Sequence, residues 1–221
     1  HLRVRIKDNY ERWIEANFPD FVDIAKMRKE LKDFSYTPLI SVVVPTYNTD
    51  LRFLQECLDS VVGQVYENWE LVIVDDRSPN KEVREYIEEY AKTDSRIRYH
   101  FLQKNLGIAG ATNEAVKIAK GEFIGIFDHD DLLWPNALFE TVKALNKNKM
   151  IDFIYTDEDK ITEDTHKHLG YFFKPDYNPD FMHSVNYFTH FTVVRKKLWD
   201  KIGGERPEYN GAQDWDLYLR I

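Results

Sequence analysis

The sequence predicts an α/β protein built on an open, mostly parallel sheet with helices on both faces. Three observations carry that expectation. Residues 39–45 and 70–74 are near-continuous β-branched runs, the pattern of strands buried on both faces. An amphipathic helical stretch lies between them, so strand, helix and strand form a right-handed parallel crossover. The same alternation continues through strand-like residues 97–102 and 122–127, which places helices on both faces of one sheet.

Each element follows from its own pattern. Residues 1–38 look helical and separate from the rest, with residues 39–221 as the main domain. Tyr10, Trp13, Ile14 and Phe18 recur near helical spacing, and Pro19 interrupts. Phe21, Ile24, Ala25, Arg28 and Leu31 form a second amphipathic run, made locally basic by Lys26, Arg28, Lys29 and Lys32. This pattern suits either a helical appendage packed on the main domain or a helix that meets a membrane surface or a partner. After the strand at 39–45, residues 46–50 form a turn. Leu51, Leu54, Leu58, Val61 and Val62 then share one helix face. The strand over 70–74 ends in Asp75 and Asp76, and residues 81–92 read as a helix with charges at pairing distances. A strand at 97–102 precedes the glycine-bearing loop 105–111, which runs into a helix through Asn113, Ala115, Val116, Ile118 and Ala119. The strand at 122–127 leads to a helix at 135–148, opened by Pro135.

The second half is less regular. A strand at 151–155 is followed by the charged residues 157–160 and by an aromatic-rich stretch, 171–179, whose prolines break helices. A strand at 191–195, a short helix at 196–202 and a break at Gly203-Gly204 come next. Residues 211–217 open a helix with Asp214 in its first turn, where the helix dipole favours an acid.

Composition narrows the function. A chain of 221 residues suits one domain, or one domain with an appendage. A net charge of -8 argues against a general nucleic-acid binder, which needs a basic face. One cysteine, Cys57, excludes an internal disulfide and a cysteine-based zinc site, and is compatible with a reducing compartment. No run approaches the ~18 apolar residues of a membrane span, and the polar start does not read as a secretory signal. The first residue is His1 rather than Met, so the chain reads as a piece of a longer protein or as carrying an introduced start.

The chemistry concentrates at Phe127-Asp128-His129-Asp130-Asp131. Carboxylates this close raise one another's pKa or recruit a cation. Their oxygen donors suit Mg²⁺ or Mn²⁺, which can also hold phosphate oxygens. A solvated acidic turn is the plain alternative. However, three strand ends carry polar groups: residues 45–48, 75–76 and 128–130. Parallel strands bring all three to one crevice, where ligands of open α/β sheets bind. A solvated turn needs no such convergence.

With these motifs in order, the chain resembles the family 2 glycosyltransferases from about Leu39 to its last residue. The resemblance rests on residues 41–48 (SVVVPTYN), Val74-Asp75-Asp76, Asn105-Leu106-Gly107, Asp128-His129-Asp130-Asp131 and Gln213-Asp214-Trp215-Asp216-Leu217. Residues 157–160, Phe173-Lys174-Pro175-Asp176 and Asn186-Tyr187 further resemble bacterial members that build O-antigen, capsule and cell-wall polysaccharides.

The resemblance implies the GT-A fold, a Rossmann-like open sheet. Residues 39–131 would be its nucleotide-sugar half and residues 132–221 its acceptor half, truncated at the C-terminal end. It also implies an inverting transfer of a sugar from a UDP- or dTDP-sugar donor to a glycan or lipid-linked acceptor. Pro45, Tyr47 and Asn48 would line the nucleoside pocket. Asp76 would hold the base or ribose, and Asn105 with Gly107 and Gly110 would close the pocket. Asp128 would lie against ribose or a metal water, with His129 beside it as a spacer or ligand. Asp130 would coordinate Mn²⁺ or Mg²⁺, and Asp214 would be the catalytic base. The family's common Glu-Asp pair reads Gln213-Asp214 here, which leaves the aspartate in place. Asp157, Asn186, His190, Gln213 and Trp215 fall on the acceptor side; core packing, or a solvated loop at 157–160, are their plainer readings. The same resemblance places the protein in the cytoplasm or at the inner face of the cell membrane.

Two rivals stand beside the transferase. A sugar-phosphate nucleotidyltransferase would show a glycine-rich basic loop after the first strand, where this chain has Pro45-Thr46-Tyr47-Asn48. A non-catalytic nucleotide- or carbohydrate-binding fragment is the other, because the chain ends soon after Asp214.

Overall fold

The computed structural model describes residues 2–164 and 166–221, with side chains from residue 9 onward. His1, where the expected extension begins, lies outside the described residues.

The predicted alternation is present. After helices α1 (Leu2–Asn17) and α2 (Phe21–Glu30), the chain forms β1 (Ile40–Thr46), α3 (Leu51–Val62), β2 (Trp69–Asp75), α4 (Lys81–Ala91) and β3 (Ile97–Phe101). It continues through α5 (Gly107–Ile118), β4 (Phe123–Ile126), α6 (Ala137–Lys147) and β5 (Phe153–Tyr155). A hairpin of β6 (Glu158–Ile161) and β7 (His168–Phe172) follows. Then come α7 (Pro179–Ser184), β8 (Thr192–Arg195), α8 (Lys196–Ile202) and α9 (Gln213–Tyr218).

Six strands make one sheet in the order β3-β2-β1-β4-β8-β5. β1 pairs in parallel with both β2 and β4, and β2 pairs in parallel with β3. β8 is antiparallel to β4 and to β5. The sheet explains the near-continuous apolar runs, because successive strand residues enter opposite cores. Val42, Val44, Leu71 and Ile73 pack with Leu54, Leu58, Val61, Phe139 and Val142 on one face. Val43, Val72, Val74 and Ile124 pack with Ala111, Ala115, Val116, Trp199 and Leu217 on the other.

Several elements differ from expectation. α5 already starts at Gly107, inside the expected loop 105–111. The hairpin β6–β7 lies where the sequence suggested a charged loop and an aromatic platform. Its residues alternate without an apolar face long enough to read as strand. Pro179, expected to break a helix, opens α7 instead, with the Asn178 side chain accepting from the Phe181 N–H. Within α2, Phe21 is 83% exposed, so Ile24 and Met27, with Leu31 beyond the helix, rather than Phe21, face the main core. α1 rests on the hairpin: Tyr10 Oη donates to Asp159 Oδ2 at 2.6 Å, and the Tyr10 and Trp13 rings stand against Tyr171 and Phe173. Among the described residues no helix is long and apolar enough to cross a membrane.

Candidate active site

The carboxyl ends of β1, β2 and β4 lie side by side, so the three polar strand ends converge as expected. Asp76 follows β2 and is buried; its N–H donates to Thr46 O at 2.8 Å. Its Oδ1 accepts from the Leu106 N–H at 2.6 Å, and Asn105 Nδ2 donates to its carbonyl at 3.1 Å. Burial raises its pKa despite backbone hydrogen bonds from Leu106 and Gly107. Asp76 therefore ties the end of β2 to the start of α5. Its neighbour Asp75 is fully buried and held by Ser78 and by Arg84 Nε at 3.0 Å, which makes it a lock rather than a ligand group.

Gly107 has φ +74°, and a Cβ there would meet Asn210 Nδ2 at 2.4 Å. Gly110 sits inside α5, where a Cβ would lie 2.4 Å from Leu106 Cβ. Both glycines let the loop fold tightly over the helix start. Pro45 lines the cleft at the end of β1. Tyr47 is 51% exposed beside it, and Asn48 turns the chain at φ +49°, its N–H donating to Ser78 Oγ at 2.7 Å.

After β4 the acidic cluster meets a residue from far along the chain. His190 Nδ1 lies 3.3 Å from Asp128 Oδ2 and 3.7 Å from Asp131 Oδ2. Asp128, Asp131 and His190 each offer an atom within 4.8 Å of the others. Burial raises the pKa of Asp128, with His190 opposing and Asp130 adding to the rise. Burial likewise pushes Asp131 up to about 6, again against His190. The expected ligand, Asp130, is not in this trio; its side chain is 58% exposed and lies 3.8 Å from His129 Nδ1. Two carboxylates and an imidazole fit Mn²⁺, which accepts mixed oxygen and nitrogen donors, better than Mg²⁺, which prefers oxygen alone.

Asp214, in the first turn of α9, lines the same cleft as Asp128 and His190. Asn186 Nδ2 donates to Asp214 Oδ2 at 2.8 Å, a bond that fixes the carboxyl. The other residues given to the acceptor side take varied places. Gln213 Oε1 accepts from Gly211 N–H at 2.8 Å, steadying the turn before α9 while its side chain borders the cleft. Trp215 packs beside the second core and donates to Met182 O at 2.8 Å. Asp157 accepts from the Lys174 N–H at 2.7 Å and caps the hairpin outside the cleft.

Sequence reasoning assigned no role to Glu205 or Lys174, and weighed Asp216 only as a helix-surface acid or a catalytic group. Glu205 is buried in the cleft wall, and its Oε2 has no hydrogen-bond partner among the described residues. Burial pushes its carboxyl up to about 8, with the charge of Asp214 adding to the rise. A lone glutamate in a glycine turn offers no pattern that would have found it. Lys174, whose side chain is fully buried, pairs with Glu158 at 3.0 Å and donates to Phe188 O and Thr189 O. It thereby holds the segment that presents His190. Asp216, two residues after Asp214, is clamped by Arg206 and Arg220.

Solved structures share this arrangement of sheet and helices. TarS of S. aureus in complex with UDP-GlcNAc superposes with a TM-score of 0.66 at 22% identity, over 82% of this chain and 52% of that one. Mannosyltransferase PcManGT from Pyrobaculum calidifontis, in complex with GDP-Man and Mn²⁺, superposes at 0.63 and 21% identity, over 89% of this chain and 57% of that one. The fold is therefore that of the GT-A glycosyltransferases.

The sequence model described as "Glycosyl transferase family 2" matches residues 41–203, and the chain belongs to that family. The O-antigen biosynthesis protein RfbC of Myxococcus xanthus is 38% identical over 213 residues, covering 96% of this chain and 16% of that protein. The chain spans less than two thirds of the length of the curated relatives it matches. Asp214 lies beyond the segment that the family model matches.

Proposed function

We propose that this chain transfers a sugar from a nucleoside-diphosphate donor to a hydroxyl of a glycan or lipid-linked acceptor, with inversion. The setting would be bacterial surface polysaccharide synthesis on the cytoplasmic side of the membrane. One observation carries the reading: a close-set acid–imidazole cluster and a hydrogen-bonded aspartate line one cleft at the strand ends. The printed names of the relatives support it, since they include an O-antigen biosynthesis protein and structures with UDP-GlcNAc and GDP-Man.

In this reading Pro45, Tyr47, Asn48 and Asp76, with the loop at Asn105, Gly107 and Gly110, bind the nucleoside. Asp128, Asp131 and His190 would hold Mn²⁺, with Asp130 as a further carboxylate and His129 as the spacer. When bound, the metal neutralises charge on the leaving diphosphate as a Lewis acid. Asp214 accepts the proton of the attacking hydroxyl as general base. Asn186 keeps its carboxylate aimed at that proton. A single displacement from the face opposite the diphosphate inverts the anomeric carbon.

Calorimetric titration of UDP, dTDP and GDP, each with and without Mn²⁺, tests the donor half. One nucleotide should bind only with the metal. Asp130→Ala and His190→Ala should each remove that metal-dependent binding. Loss with His190→Ala alone would confine the ligand set to Asp128, Asp131 and His190. Binding of no nucleotide under any condition would reject the transferase reading for this chain.

A further inference from the structure

We propose that Glu205 is a specificity-determining residue of the donor-sugar subsite, its carboxyl hydrogen-bonding a hydroxyl of the sugar being transferred. The inference rests on the transferase reading and deepens it.

Three observations carry it. First, Glu205 is 3% exposed and lines the cleft together with Pro45, Asp128, His190 and Asp214. Secondly, its Oε2 finds no partner among the described residues, although the Thr112 side chain faces the carboxyl. A buried carboxyl with an unused oxygen is costly, and an apolar residue of similar volume would fill the same space without that cost. Thirdly, its backbone is clamped: Asn113 Nδ2 donates to Glu205 O at 2.8 Å and Asn113 Oδ1 accepts from the Glu205 N–H at 3.0 Å. Arg220 Nη2 donates to Gly204 O at 2.7 Å. The carboxyl is thus held ready, which suits a group that waits for a ligand.

Position selects the ligand. Glu205 lines the same cleft as the acid–imidazole cluster, where the diphosphate would sit, and as Asp214, where the acceptor hydroxyl would arrive, and the charges of Asp214 and Asp128 both act on its carboxyl. The part of the reacting assembly between those two points is the sugar ring. A carboxyl accepts readily from a sugar hydroxyl and, when protonated, donates to one as well. It also lies outside the close-set trio of candidate metal ligands.

The test compares each nucleotide with its sugar conjugate, in Mn²⁺, on the full chain. The probes are UDP against UDP-GlcNAc and GDP against GDP-mannose, titrated into wild type, Glu205→Leu and Glu205→Gln. For the pair that wild type binds, Glu205→Leu should leave nucleotide affinity unchanged and weaken the sugar conjugate about tenfold. Glu205→Gln, which still donates and accepts, should recover most of the loss. Equal weakening of nucleotide and conjugate, or no change in either, would overturn the proposal while leaving the transferase reading intact. Wild type binding neither pair would overturn both. Thermal unfolding without ligand gives an independent arm: Glu205→Leu should raise the Tm. A lower Tm would assign Glu205 to packing and overturn the proposal.

Discussion

Asp214 and Glu205 line one cleft and face opposite demands. Asp214 receives an amide hydrogen bond from Asn186, whereas Glu205 leaves an oxygen without a partner. Asp214→Asn keeps shape and can still accept from Asn186. It should therefore leave nucleotide affinity unchanged and reduce sugar transfer by about 10²–10⁴-fold, the usual worth of a general base. Retained transfer in that variant would remove Asp214 from the base role. Glu205 makes a prediction in pH. Its folded carboxyl is raised to about 8 from an ordinary 4.5, so the folded state holds this proton more tightly than the unfolded chain does. That contribution to stability is fully present below about 4.5 and is lost as pH rises through 8. Chemical unfolding in metal-free buffer should show Glu205→Gln gaining on wild type between pH 5 and pH 8, at up to about 1.4 kcal/mol per pH unit. A difference that stays constant over this window would contradict the assignment.

Among the elements, the hairpin β6–β7 and the segment before β8 set where His190 stands. Lys174 is the hinge pin: its buried ammonium meets Glu158 and the carbonyls of Phe188 and Thr189, while Glu158 also accepts from the His190 N–H. Desolvation lowers its pKa against the opposing pull of Glu158. Lys174→Met should destabilise the chain by on the order of 3 kcal/mol, since it strands Glu158 without its partner. It should also weaken Mn²⁺-dependent nucleotide binding through His190. Unfolding and calorimetry on one preparation measure both effects, and a loss of stability with binding intact would uncouple this segment from the metal. The elements also show what a sequence can and cannot display. β1, β2 and β4 were legible because a strand buried on both faces must be apolar throughout. The hairpin was not, because short exposed strands carry Glu, Asp and Lys as loops do. Strand direction was not legible either: the run that became β8 has no feature that distinguishes parallel from antiparallel pairing.

At the scale of the whole molecule, the site is assembled from two distant stretches. The strand ends after β1, β2 and β4 come from the first stretch, and their convergence followed from the alternation alone. His190, Glu205 and Asp214 come from the second, and their meeting with Asp128 depends on β8 returning antiparallel beside β4. Motif resemblance pointed to Asp214. Glu205 had no motif, and the place of His190 beside Asp128 rests on a contact between residues far apart in sequence. The N-terminal helices belong to the same architecture, because Ile24, Met27, Leu31, Phe34 and Tyr36 pack against the main core. Deleting residues 1–38 should therefore lower stability by several kcal/mol, at about 1 kcal/mol for each half-buried apolar side chain uncovered. Deleting residues 1–18 alone should cost less, since that segment touches chiefly the hairpin. Equal stability of the 39–221 fragment and the full chain would show that the extension is dispensable to the fold.

The double-arginine clamp on Asp216 has a consequence for evolvability. Arg206 and Arg220 grip that carboxylate from the turn after Glu205 and from the far end of α9, and Arg220 also reaches back to the carbonyls of Ile202 and Gly204. The turn that bears Glu205 and the helix that bears Asp214 are thereby cross-braced into one girder. Neither carboxyl can be shifted along the cleft without carrying the other. A chain under pressure to accept a sugar of different stereochemistry would exchange side chains along the cleft, such as the one at 205, while this girder keeps the backbone spacing.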